Sequence, residues 1–148
     1  MTQLAPTLAA VGSGLVAGLC FAFGSFLLRS FDRLGPSQAI RTMQSINATI
    51  LQSTSMWVWM ATPILGVVAT AFAVERGRPM AALVSYVAGA LLITRLRNIP
   101  LNEELDRVNP DAPGAEEAWR SYRVRWGRWN TLRALACGLA AGGFAMAA

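Results

Sequence analysis

The sequence predicts an all-α integral membrane protein: a four-helix bundle whose second and fourth helices extend beyond the bilayer. Three observations carry that prediction. Hydrophobic residues make up 54% of the chain and charged residues 14%, where a soluble domain carries about 25% charged residues. The 148 residues form one domain, 1–148, with room for four spans of about 20 residues each. The basic residues, 13 in all and every one an arginine, gather between the apolar runs, as they do in the cytoplasmic loops of membrane proteins.

The first span is expected over residues 4–28. Gly12, Gly14, Gly18 and Gly24 allow close helix approach in lipid. No charged segment precedes this run, and it is longer than the apolar core of a signal peptide, so it reads as a retained span. Arg29, Asp32 and Arg33 end it, and Gly35-Pro36 breaks the chain. A second helix is expected from Ser37 to Val74. Its first half is polar, its second half spans, and Pro63 kinks it.

The run 75–78 is a tight connection. Pro79 suits the first turn of span three, which runs to about Thr94 and is closed by Arg95 and Arg97. Pro100 then interrupts the helix, and Asn102 followed by Glu103 and Glu104 reads as an N-cap with acids in the first turn. Residues 109–114 contain two prolines and form a loop. The last helix runs from Ala115 to Ala147, arginine- and tryptophan-rich at first and then apolar. The connections after spans one and three hold 11 of the arginines and the one after span two holds the other 2. That bias predicts a multi-pass protein of the cell inner membrane, with the arginine-rich loops cytoplasmic and both termini outside.

Composition also excludes function classes. There is no histidine, which removes His-ligated haem, His-containing zinc and copper sites, and Ser/His or Cys/His catalytic pairs. Cys20 and Cys137 lie in separate apolar runs and form no CxxC, so a thiol oxidoreductase is not indicated. No span contains an acidic residue, which argues against a proton-coupled drug transporter. No metal site, no cofactor and no nucleic-acid partner is expected. The partners expected are the lipid bilayer, a small aromatic or hydrophobic molecule, and a second copy of the chain in a homo-oligomer.

Three stretches carry candidate chemistry. On the last helix Trp119, Tyr122, Trp126, Trp129, Asn130, Arg133 and Cys137 fall within a stripe of about 100°. An interfacial aromatic belt would give the same pattern. So would a wall on which a flat aromatic ligand stacks, with Asn130 and Arg133 meeting its oxygens. The second helix aligns Gln44, Asn47, Leu51, Thr54, Ser55 and Thr62, either for interhelical hydrogen bonds or for a ligand. The third stretch, 98–104, offers Asn98 and Asn102 at a proline-broken helix end, or a plain helix stop. All three end on the same membrane side, so they can converge on one pocket.

The run Met43-Gln44-Ser45-Ile46-Asn47, the run Asn98-Ile99-Pro100-Leu101-Asn102, and Trp119-x-x-Tyr122-x-x-x-Trp126-x-x-Trp129-Asn130-x-x-Arg133 together resemble the anthrone oxygenase family. The resemblance covers essentially the whole chain. It implies a small four-span membrane protein, with relatives that oxidise anthrones to anthraquinones with dioxygen in polyketide pathways. Members often carry a histidine after the Trp-Asn pair. This chain has Thr131 there, so a base or ligand at that position is missing.

The resulting expectation is a cofactor-free oxygenase-like oxidoreductase. Asn47, Asn102, Asn130 and Arg133 would be catalytic, and Gln44, Asn98, Trp119, Tyr122, Trp126 and Trp129 would bind substrate. Glu103 is the nearest base. Two other readings stand beside it: a membrane binding or accessory protein that holds a hydrophobic or lipid ligand in the same pocket, and a structural subunit.

Overall fold

The computed structural model of the chain describes residues 3–73 and 77–148. Among them the secondary structure is all helical: α1 (Leu4–Asp32), α2 (Pro36–Ile50), α3 (Thr54–Phe72), α4 (Gly77–Asp106) and α5 (Ala115–Ala145). Three helices, α1, α3 and α4, are long and apolar enough to cross a membrane. At 29 and 30 residues, α1 and α4 reach about 45 Å, well beyond a hydrocarbon core of about 30 Å. The 31-residue α5 is not among the three, because Asn130 and Arg133 dilute its apolar half.

Each boundary has a local cause. Gly35 takes φ 83° and Pro36 follows it at the first turn of α2. A side chain would strain the first position, and the second needs no N–H. Gly114, at φ 98°, precedes α5 in the same way.

The helix predicted from Ser37 to Val74 is two helices. Ser53 is extended at φ −87°, ψ 157°, and its hydroxyl donates to the Ile50 carbonyl at 2.7 Å. The run Thr49-Ile50-Leu51-Gln52-Ser53-Thr54-Ser55 is rich in residues that compete with the helix through side-chain bonds or resist it by β-branching. Pro63 lies inside α3 without ending it, and Val74 lies outside the described residues. So do Glu75 and Arg76 of the connection predicted at 75–78, whereas Gly77 and Arg78 already belong to α4.

Pro100 does not break its helix either. α4 continues through it to Asp106, and the preceding stretch Val87–Asn98 is π-helical. Pro100 has no N–H, and its ring presses on the turn before it. A wider turn upstream accommodates both. A shorter π stretch, Phe23–Leu27, lies in α1.

α5 packs along α1 and α4, and α3 packs against the same two helices. The short α2 leans on the polar part of α5 and on the end of α4. Two apolar clusters result. One is built from large side chains, including Phe23, Phe31, Met43, Leu105, Trp119, Tyr122 and Trp126. The other is built mostly from small ones, including Ala9, Cys20, Ala69, Ala82, Ala90, Cys137 and Ala140, around Tyr86 and Phe144. A Cβ at Gly89 would overlap that of Ala136, which shows how closely α4 and α5 approach there. Outward, α1 exposes Leu4, Leu8, Val11 and Leu15, and α3 exposes Trp57, Met60, Ile64 and Val67. These are unbroken apolar faces that water would not favour.

Candidate functional site

The sequence-predicted residues fall into three layers along α5. In the outermost, Gln44 Nε2 donates to the carbonyls of Leu105 and Val108, both at 3.0 Å. Asn47 Nδ2 donates to Asp106 Oδ1 at 3.3 Å. These bonds fasten α2 to the end of α4 and to the turn that follows it. Gln44 and Asn47 are therefore occupied as ties.

In the middle layer the Trp119, Tyr122 and Trp126 rings follow one another with centroids 5.8 and 6.1 Å apart. Trp119 Nε1 donates to Asp32 Oδ1 at 2.9 Å, and Arg123 Nε donates to the other oxygen of Asp32 at 2.8 Å. The Tyr122 hydroxyl donates to Asn102 Oδ1 at 3.0 Å. Burial pushes the Tyr122 phenol up, so it stays protonated and can act here only as a neutral group. Asn102 is thus a partner of Tyr122 inside a continuous helix. Glu103 is exposed and reaches only Arg107, one turn on, at 3.9 Å.

The innermost layer sits where the two apolar clusters meet. Asn130 is fully buried. Its Nδ2 donates to the Cys20 carbonyl at 2.7 Å, and its Oδ1 accepts from Arg133 at 2.8 Å. Arg133 is 6% exposed and also donates to Thr94 Oγ1 at 3.0 Å. Its guanidinium lies 5.3 Å from the Trp126 ring centroid and 5.5 Å from that of Trp59. Asn98, 1% exposed, donates to the Trp126 carbonyl at 3.5 Å. Thr94 and Asn98 come from the π-helical stretch of α4, and Phe23, which packs on Trp126 at 5.5 Å, opens that of α1. Both widened helices border this layer, and π segments recur where a helix must present groups that a regular one would not.

Two features set this layer apart from ordinary packing. Among the described residues Arg133 pairs with no carboxylate; every hydrogen bond it makes is to a neutral group. A buried charge without a counter-charge is expensive, and cation–π contact with two tryptophans offsets only part of that. Second, Arg133 Nε, Trp126 Nε1 and Asn98 Oδ1 are buried without a partner. The two open donors, one of them on the cation itself, suit an anionic or strongly polarised oxygen, while the open Asn98 Oδ1 suits a donor such as a hydroxyl.

Trp129 stands apart. It is half-buried beneath Arg97, whose guanidinium lies 4.8 Å from the ring centroid, and it lines an open groove between α4 and α5. Of the predicted set, then, Asn98, Trp126, Asn130 and Arg133 come together, with Tyr122 and Asn102 one layer out. Thr94, Trp59, Phe23 and Asp32 join them without having been predicted. Trp59 lies in an apolar run beside Trp57, and no pattern separates the inward ring from the outward one. Asp32 among arginines reads only as a helix end. Among the described residues no three Cys, Asp or Glu side chains gather as a metal site would require.

A family model described as anthrone oxygenase matches residues 3–143 of the chain. No curated protein and no solved structure matches it.

Proposed function

From the chain's place in the anthrone oxygenase family, to which it belongs, we propose that it is a membrane-embedded, oxygenase-like enzyme. It oxidises an electron-rich phenolic or anthrone-type aromatic with dioxygen. α1, α3, α4 and the apolar half of α5 form the four spans of a bundle. The arginine-rich ends of α1, α4 and α5 face the cytoplasm, following the charge bias of the connections.

The observation that carries this reading is Arg133, a buried guanidinium with no carboxylate partner among the described residues and an unpartnered Nε–H beside the unpartnered Trp126 indole. The substrate's oxygen takes these donors. Loss of a proton from the carbon para to it, through the ring, turns that oxygen into an oxyanion, which Arg133 and Trp126 stabilise, with Asn130 holding Arg133 in place. The carbanion then passes one electron to dioxygen. The resulting radical pair collapses with formation of a C–O bond to a peroxide anion, which takes a proton back from water to give a hydroperoxide. Loss of water breaks the O–O bond and the remaining C–H bond and leaves a carbonyl. One anthrone and one dioxygen give one anthraquinone and one water. No carboxylate is among the bonding partners of Asn98, Asn130 and Arg133, so the first proton leaves to water, helped by the lowered charge on the enolate.

The same lack of a base favours a second reading, in which the Arg133 layer binds a hydrophobic or lipid ligand without turning it over. Oxygen uptake by the purified protein with an anthrone separates the two. The enzyme reading expects uptake above the spontaneous rate, with one dioxygen consumed per quinone formed. Tight anthrone binding with no added uptake would leave the binding reading alone standing.

A further inference from the structure

The groove between α4 and α5 lies outside the Arg133 site and has a different chemistry. Its volume is about 480 Å³, and it is lined by Leu96, Arg97, Pro100, Leu101 and Glu104 of α4 and by Arg125, Arg128, Trp129 and Leu132 of α5. The antiparallel helices grade it from end to end. Leu96 and Leu132, 64% and 46% exposed, form one end. Glu104 and Arg125 close the other, with Arg125 Nη1 donating to Glu104 Oε2 at 2.9 Å. Between them stand Arg97 and Arg128, both exposed and, among the described residues, without a carboxylate partner.

We propose that this groove is a headgroup site for an anionic phospholipid. Its apolar end continues the lipid-facing surface of α4 and α5, so an acyl chain can lie along Leu96 and Leu132 while the phosphate enters between the arginines. The Trp129 face holds the Arg97 guanidinium in place and leaves the edge donors free for a two-point bond to phosphate oxygens. Glu104 engages Arg125 alone, so the groove keeps two arginine charges beyond its one carboxylate. Basic pockets between spanning helices take lipid headgroups by this combination of charge and adjacent acyl surface.

Native mass spectrometry of the detergent-purified full chain, titrated with phosphatidylglycerol or phosphatidylcholine of matched acyl chains, tests the proposal. Phosphatidylglycerol should be retained in preference to phosphatidylcholine. Arg97→Gln and Arg128→Gln should each reduce that preference about fivefold, the effect of one basic side chain at an anionic surface. Glu104→Gln should raise it, since it frees Arg125 and removes a repelling charge. Arg120→Gln, on a different face and paired with Glu116, should leave it unchanged. All four substitutions are at exposed side chains, and an unchanged melting temperature verifies the fold of each. Equal retention of both lipids, or a preference that survives the Arg97 and Arg128 substitutions, overturns the proposal. So does glycerol 1-phosphate binding as strongly as the whole lipid, which would make the groove a site for soluble phosphate.

Discussion

The two apolar clusters are built on opposite principles. The large-residue cluster spaces its helices with Phe, Trp and Tyr rings and closes the gaps with side-chain hydrogen bonds: Trp119 to Asp32, Tyr122 to Asn102, Gln44 to two carbonyls. Among the described residues the small-residue cluster is crossed only by bonds from side chains to helix carbonyls: Tyr86 to Trp59, Trp59 to Ala90 and Ser85 to Ala136. It brings its backbones close with Ala, Gly and Cys, the arrangement favoured where lipid removes the hydrophobic force between helices and van der Waals contact must replace it. The difference teaches where function can sit. The unpaired charge and three of the four buried polar atoms left open among the described residues lie at the seam between them; the fourth, Ser13 Oγ, is in α1 beside the small residues.

Arg133→Met should separate the two principles most sharply. It removes the cation but keeps a flexible apolar side chain in its space. Turnover of an anthrone should fall roughly 10²–10³-fold, as it does when an oxyanion donor is lost. Stability should hold or rise, because replacing a buried, poorly compensated charge with a hydrophobe is often neutral or favourable. Asn130 would lose only one of its two bonds. Turnover measured beside thermal melting in detergent checks both halves. A large drop in melting temperature with activity intact would make Arg133 a structural residue.

The next effect lies within the small-residue cluster. Gly89→Ala places a methyl against Ala136 on α5. Overpacking of that kind costs about 1–3 kcal/mol and exceeds the helix-propensity gain of up to about 1 kcal/mol, so the net change should be a loss of stability. Gly138→Ala, where an added Cβ meets nothing within 4 Å, should keep only the propensity gain and stabilise slightly. Opposite signs in chemical unfolding would sharpen the contrast with the aromatic cluster; equal signs would break it.

How much of this was legible in the sequence follows the same division. The apolar runs, the Gly35-Pro36 turn and the stripe on α5 are local or periodic features. They gave the helical class, the loop at 109–114 and the buried faces of Trp119, Tyr122, Trp126, Asn130 and Arg133. What was not legible depends on packing. The break at Ser53 is a contest between an apolar pattern and local side-chain bonding. The passage of α4 through Pro100 depends on a π-helical stretch that no composition announces. Thr94 and Cys20 matter through a hydroxyl and a backbone carbonyl, and Asn47 looks like a site residue only until Asp106 is found beside it. Polar residues on one face were visible; which of them are already satisfied was not.

The smallest effect is expected at the edge of the large-residue cluster. Asp111, in the loop before α5, accepts from the Ser37 hydroxyl at 2.8 Å and from Arg41. These two partners hold its carboxyl below the usual aspartate value. The sign follows from linkage. A carboxyl with a lowered value in the folded state ties the loop to α2 fully above the ordinary aspartate range, and the tie is lost as pH falls through the lowered value. The site is exposed, so solvent and salt screen the pair, and the global melting temperature should barely move. Amide exchange in residues 109–114, taken relative to the intrinsic rate at each pH, should instead quicken under acid, and in Asp111→Asn it should be fast on that scale already at neutral pH with no acid-dependent step from this group. Slow exchange in the variant would mean that the loop is held by its own turns, chiefly the Asn109 side chain accepting from the Asp111 amide at 3.1 Å. The outer polar ties would then count for less than the packing beneath them.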